Sequence, residues 1–229
     1  MSERSSFKPW IPRVVPFALY MLFILLQNTF EPVLANHVEP IFLTPTFYSV
    51  KILLVTISLI YFWKHYDELS FKGINAQTIL LSLLVGAVVF ALWINLDLEF
   101  AKQGKDEPYD PTLLPVTFYY TFITIRLIGA SIVVPVFEEL FWRSFILRYI
   151  INTDFASVKL ATFTLPSFII SSVLFGLEHN LWLAGIVAGF FYNLLLYKTK
   201  NLYCCILSHG ITNFILGLYI LKTGSWSFW

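Results

Sequence analysis

Long apolar stretches separated by short polar breaks run through this chain from end to end. A bilayer-spanning helix needs about 20 apolar residues. Runs near that length occur at about 14–31, 43–63, 76–96, 112–135, 161–178, 181–197 and 201–221. A shorter stretch, 137–150, continues the pattern but carries charge. The pattern predicts an all-α, polytopic integral membrane helix bundle of about eight helices. One membrane domain over 1–229 accounts for the whole chain, with no internal repeat and no soluble domain. The one long polar break runs from Asp97 to Pro111.

Residues 112–150 are too long for a single crossing. A continuous helix there would measure about 57 Å at 1.5 Å per residue, against a hydrocarbon core of about 30 Å. Pro135 lacks the N–H for an intrahelical bond and is the expected break or kink. If the spans are shifted so that about 126–150 crosses, Glu138, His179 and His209 reach similar depth.

Composition agrees with the pattern. Of 229 residues, 58% are hydrophobic and 13% charged, where a soluble domain carries about 25% charged. Net charge is +1, so there is no nucleic-acid footprint. Aromatic residues reach 18%, as suits lipid-facing surfaces and interfacial belts. Cys204 and Cys205 are adjacent in an apolar run, which excludes a disulfide framework and reads as small buried hydrophobes. The first run, about Val14 to Phe30, follows Arg4, Lys8 and Arg13. A signal peptide has that charge order but an apolar core of only about 7–15 residues, so an uncleaved first span is expected. Ala35 marks where a cleavage would otherwise fall.

Basic residues orient the bundle. Arg4, Lys8 and Arg13 precede the first span, Lys64 and Lys72 follow the second, Arg148 and Lys159 flank the loop after 137–150, and Lys198 and Lys200 precede the last span. The loop after the first span has only acids, such as Glu31 and Glu39, and loop 97–111 dilutes Lys102 and Lys105 with five acids. A cytoplasmic N-terminus follows. Lys64 to Gly73 mixes Tyr66, Leu69 and Phe71 with charges and reads as an interfacial segment.

Six ionisable or strongly polar residues then stand out: Glu138, Glu139, Arg143, His179, His209 and Asn213. A charge at mid-bilayer costs at least about 2.5–3.5 kcal/mol on insertion scales. In Glu138-Glu139-Leu-Phe-Trp-Arg143, Glu139 and Arg143 are i and i+4 and can pair on a helix, while Glu138 lies about 100° round and is left to face a cavity. The plainer reading, a buried ion cluster that fixes helix packing, fits Glu139 and Arg143. In Phe175-Gly-Leu-Glu-His179, the imidazole suits proton transfer, although a lone His in an apolar run is more often a packing residue. Glu178 is read as pointing to another face at a helix end. In His209-Gly-Ile-Thr-Asn213, His and Asn share one face, where two donors could hold a developing oxyanion or simply glue helices together. Gly210 between them allows close approach of a neighbour. Ser208 is discounted as a nucleophile, because adjacent helical residues point about 100° apart.

Carboxylate, imidazole and amide together are what a protease needs to activate water and hold an oxyanion. There is no HExxH, GxSxG elbow or nucleotide-binding loop. Glu138, His179 and His209 could instead ligate a metal, since two imidazoles and a carboxylate form a catalytic zinc set.

The three motifs, in order and inside apolar helices, resemble the CAAX prenyl protease and bacteriocin-processing family, also called the type II CAAX or ABI proteases. The family pattern EExxxR, FxxxH, HxxxN reads here as Glu138, Glu139 and Arg143, then Phe175 and His179, then His209 and Asn213. The resemblance covers about 112–221, the expected catalytic core. It implies a bundle of about eight helices with an intramembrane site open to the cytosolic side. It also implies that Glu138 and His179 activate water, that His209 and Asn213 hold the oxyanion, and that Glu139 and Arg143 support them. No cofactor and no metal are expected. Many members have Gly where this chain has Ser144. The Phe-Trp-Arg-Ser-Phe wording and the tail Thr223 to Trp229 resemble a prokaryotic subgroup linked with exosortase sorting systems.

The sequence therefore reads as a membrane endopeptidase of the cell membrane of a prokaryote. Its partners would be a peptide or lipidated protein substrate, membrane lipid, and an exosortase-type sorting system. Two other readings stand beside it: a metal-dependent intramembrane peptidase using the same residues, and a non-catalytic immunity or sorting partner whose polar cluster only packs helices.

Overall fold

The computed structural model describes residues 7–104 and 108–229. Arg4 and Lys105, which enter the orientation argument, lie outside the described residues, as do the acids Asp106 and Glu107. Among the described residues seven helices form the bundle: α1 Ile11–Leu34, α2 Leu43–Tyr61, α3 Ala76–Asn95, α4 Val116–Ile151, α5 Leu165–Leu177, α6 Trp182–Thr199 and α7 Leu202–Thr223. Five segments are long and apolar enough to cross a membrane: α1, Pro40–Tyr61, α3, α4 and α7. The chain is an all-α integral membrane bundle.

The expected break at Pro135 does not form. Spans 112–135 and 137–150 merge into α4, whose 36 residues measure about 54 Å at 1.5 Å per residue. Two π-helical stretches, Gly129–Val133 and Leu140–Ile146, bracket Pro135 instead. A wider turn relieves the clash between a proline ring and the carbonyl four residues back, so the helix bulges rather than ends. That carbonyl belongs to Ser131. It faces Gly210 of α7, where a Cβ would lie 2.6 Å from the oxygen. Gly210 thus permits the close approach read for it from sequence.

Alternating helices give the bundle two ends, each tied by its own contacts. At one end Arg13 of α1 donates to Glu68 in the α2–α3 loop at 2.7 and 2.5 Å, and Asn201, before α7, donates to the carbonyls of Ser70 and Lys72. Lys64, Lys72, Lys159, Lys198 and Lys200 all belong to loops or helix termini at this end, which we call the basic end. At the far end Thr44 donates to Glu31 at 2.7 Å and Tyr109 to the Ile41 carbonyl at 2.7 Å.

The segment from Lys64 to Gly73 begins within a 3₁₀ turn, Trp63–His65, and buries the Glu68 carboxylate. Burial would raise that carboxyl, but the hydrogen bonds and charge of Arg13, with the Ser144 hydroxyl, hold it below the usual carboxylate range. Ser144 donates to Glu68 and accepts from Arg148 at 2.7 Å. Ser144, where many members of the resembled family have Gly, is therefore built into this cluster. Arg13 and Arg148, read as orientation charges, are both buried in it.

α5 has 13 residues, about 20 Å at 1.5 Å per residue, too short to cross a core of about 30 Å. It starts at the basic end and stops inside the bundle. The α5–α6 pair closes tightly there, since a Cβ on Gly176 would lie 2.5 Å from the Ile186 backbone nitrogen. The long polar loop covers the turn. Gln103 donates from its backbone to Asn180 O at 2.8 Å and from its side chain to the carbonyls of Leu177 at 2.7 Å and His179 at 2.8 Å. A helix end that would bury unpaired carbonyls is thereby satisfied.

Candidate active site

The end of α5, the middle of α4 and the middle of α7 meet at one cavity of about 370 Å³. Glu138, His179, His209 and Asn213 all line it. Glu139 and Arg143 lie behind the wall, almost wholly buried at 0% and 1% exposure.

Glu139 and Arg143 pair at 3.2 Å between Oε1 and Nη1. The guanidinium sits over the rings of Phe175 at 4.3 Å and Tyr192 at 5.3 Å. The same Glu139 oxygen lies 3.0 Å from His209 Nδ1. With the carboxylate ionised against Arg143, it can only accept, so Nδ1 carries a proton and donates to it. This third member of the cluster was not legible from the i,i+4 spacing. It has a chemical consequence: His209 Nε2, the nitrogen turned to Glu138 at 4.0 Å, bears a hydrogen only when the ring is an imidazolium.

Glu138 is buried, and its Oε2 has no hydrogen-bond partner among the described residues. His179 Nδ1 donates to the Phe175 carbonyl at 2.8 Å, because a carbonyl only accepts. Nε2 of that ring is therefore the free base. Asn213 donates through Nδ2 to the Ala130 carbonyl at 2.8 Å, in the first π stretch. An amide nitrogen has two hydrogens, so one remains available to the cavity.

Glu178 corrects the sequence reading. It does follow a helix end, but its side chain faces the cavity rather than another surface. The helix stops at Leu177, so the 100° offset between neighbours no longer separates residues 178 and 179. Trp142 Nε1 donates to Glu178 Oε1 at 2.9 Å, while Oε2 is buried and unpartnered. An acid beside a motif histidine was the available signal. Glu138, Glu178 and His179 each offer one ligand atom, all within 4.8 Å of one another, a geometry able to hold a metal ion. The histidine in that group is His179; Glu178 stands where the sequence reading had His209.

The cavity is closed toward the basic end. Below it lie the Glu139–Arg143 pair and then the Glu68 cluster, all buried. Its rim comes from the far end: exposed Asn180 and Ser227, with Leu181 and Trp229. The site thus opens away from the basic end, against the cytosolic opening that the resemblance implied for a chain with a cytoplasmic N-terminus.

The family model described as Type II CAAX prenyl endopeptidase Rce1-like matches residues 120–215. The match takes in α4 from Tyr120, all of α5 and α6, and α7 as far as Ile215, hence all three motifs; α1–α3 lie outside it. The resemblance read from the motifs holds at the level of this membrane protease family. No curated protein and no solved structure matches the chain.

Proposed function

We propose, from that family match, that the chain is an intramembrane endopeptidase that hydrolyses a peptide bond with water activated between Glu138 and His179. One observation carries the reading: a buried carboxylate oxygen without a partner and an imidazole with a free Nε2 face the same cavity. Glu138 and His179 each offer one ligand atom within 4.8 Å of the other, which leaves room for one bridging water. Glu138 takes a proton from that water, and the hydroxide attacks the scissile carbonyl. The tetrahedral oxyanion is held by the spare N–H of Asn213 and by His209 as an imidazolium supported by Glu139. Glu138 then passes its proton to the leaving amine as the C–N bond breaks. No covalent intermediate forms. Glu178 is a second carboxylate within reach of the same water.

The substrate we infer is a C-terminal or membrane-proximal peptide of a lipid-anchored or sorted protein, in the cell membrane of a prokaryote. Motif wording supports an exosortase-linked sorting system as the setting. Basic residues gather at the end that carries the N-terminus, which supports a cytoplasmic N-terminus. On that orientation the cavity admits substrate from the extracytoplasmic side. A second reading, a metal-dependent peptidase, is favoured by the Glu138, Glu178 and His179 group.

Asn213 tests the oxyanion assignment. Losing one oxyanion donor typically lowers rate about 10²–10³-fold. Asn213→Ala is expected to lower kcat with little change in KM, because charge on that oxygen appears mainly in the transition state. Combined with His209→Ala, the loss should be smaller than the product of the two single losses. Steady-state kinetics on a lipid-anchored peptide read this out. A KM defect alone would make Asn213 a ground-state contact.

A further inference from the structure

Glu178 lines the active-site cavity with one carboxylate oxygen committed and the other not. Oε1 accepts from Trp142 Nε1 at 2.9 Å, a bond that fixes the side chain from behind. Oε2 is buried and has no hydrogen-bond partner among the described residues. The neighbouring ring does not serve it. His179 Nδ1 lies 3.9 Å from Oε1 and gives its hydrogen to the Phe175 carbonyl at 2.8 Å. The nearby guanidinium of Arg143 is paired with Glu139 instead. A buried acceptor is costly until a donor reaches it, and solvent water fills that role only until substrate displaces it.

Counting hydrogens identifies the donor that substrate brings. The attacking water has two. Glu138 removes one, and Nε2 of His179, the free base of that ring, holds the other. None is left for Glu178, whose ligand atom lies within 4.8 Å of those of both residues. The spare hydrogen of Asn213 and Nε2–H of His209 are committed to the oxyanion. A peptide bond carries one hydrogen of its own, on the scissile nitrogen. In a trans peptide that N–H points opposite to the C=O, so with the oxygen held by α7 it turns away from α7. Of the three acceptors outside α7, Glu138 and His179 hold the water, and Glu178 remains. The nitrogen must also come within about 3 Å of Glu138 to receive its proton, which brings it beside Glu178.

We propose that Glu178, fixed by Trp142, accepts the N–H of the scissile bond and so aims the leaving nitrogen at Glu138. The assignment rests on the protease reading and narrows it to secondary amides. A bond before proline lacks this hydrogen and is a poor substrate. The motif resemblance assigns no role to Glu178; the role follows from the end of α5, which turns this side chain into the cavity.

Replacing the scissile amide by an ester tests the proposal, because an ester has no N–H. The substrate is an N-palmitoylated peptide of alanine and leucine in phosphatidylcholine nanodiscs, with the cut located by mass spectrometry. The second substrate has the matching α-hydroxy acid at the residue that supplies the scissile nitrogen. Glu178→Gln keeps the shape but has a single acceptor oxygen, which Trp142 occupies. It is expected to lower kcat/KM about 10–100-fold on the amide, the range for a hydrogen bond to a charged group, and two-fold or less on the ester. Trp142→Phe keeps an aromatic ring and releases Glu178. It should cost about 2–10-fold on the amide, the range for a neutral hydrogen bond, and again spare the ester. Trp142→Phe carries the test if Glu178→Gln fails to fold. Equal losses on amide and ester would overturn the assignment. An alcohol leaving group still needs a proton, and both reactions use the same water, so a proton-donating or metal-holding Glu178 gives that result. No loss on either substrate would overturn it too. Wild type that cuts neither substrate would overturn the protease reading and this assignment with it, whereas cleavage with equal losses would overturn the assignment alone.

Discussion

Glu138→Gln is expected to lower turnover by about 10²–10⁴-fold, the usual cost of a lost general base, in a protein that still folds in detergent. The amide keeps the shape of the carboxylate but cannot take a proton from water. Folding should survive, because Oε2 of Glu138 makes no hydrogen bond whose loss would be felt. The side chain also contributes a charge in an apolar setting, so its replacement by a neutral amide removes a cost rather than a contact. Single-turnover cleavage and a melting curve on the same preparation separate the two effects. Near-normal turnover would remove Glu138 from the role of base.

Arg143→Ala should have the opposite profile. Removing one partner of a buried ion pair typically costs about 3–5 kcal/mol, because the other charge stays behind unpaired. Here the remaining charge would be Glu139, at 0% exposure. The guanidinium also covers Phe175 and Tyr192, so its packing would go too. Glu139→Ala should destabilise similarly, and it would additionally free His209 Nδ1 from its acceptor. Thermal unfolding in detergent reads both variants. A melting temperature within a degree or two of wild type would mean the pair contributes little to holding α4 in the bundle.

Bundle class and polar motifs were legible because both rest on local chemistry. Apolar runs near spanning length gave six of the seven helices close to their observed bounds, and i,i+4 spacing gave the Glu139–Arg143 contact. Of the break or kink expected at Pro135, no break forms, because a π turn on each side absorbs the proline ring without ending the helix. Glu178 was misjudged because angular arguments assume a continuous helix, and α5 ends one residue earlier. The bond from His209 to Glu139 joins residues 70 apart in sequence, which no spacing rule reaches. The same holds for Lys51 and Arg126, which share one tyrosine ring across two helices. Which end of the bundle the cavity faces depended on where α5 stops and on the loop around Gln103 that covers it.

The central claim, that this chain cleaves peptide bonds with glutamate-activated water, is tested most directly by one assay. Purified wild type and Glu138→Gln, both stripped of metal and reconstituted in nanodiscs, are each incubated with a lipid-anchored peptide, and products are read by mass spectrometry. The account predicts a single cut by stripped wild type and none by Glu138→Gln. Loss of wild-type cleavage on stripping, restored by zinc, would contradict it, since a metal would then be activating the water at Glu138, Glu178 and His179.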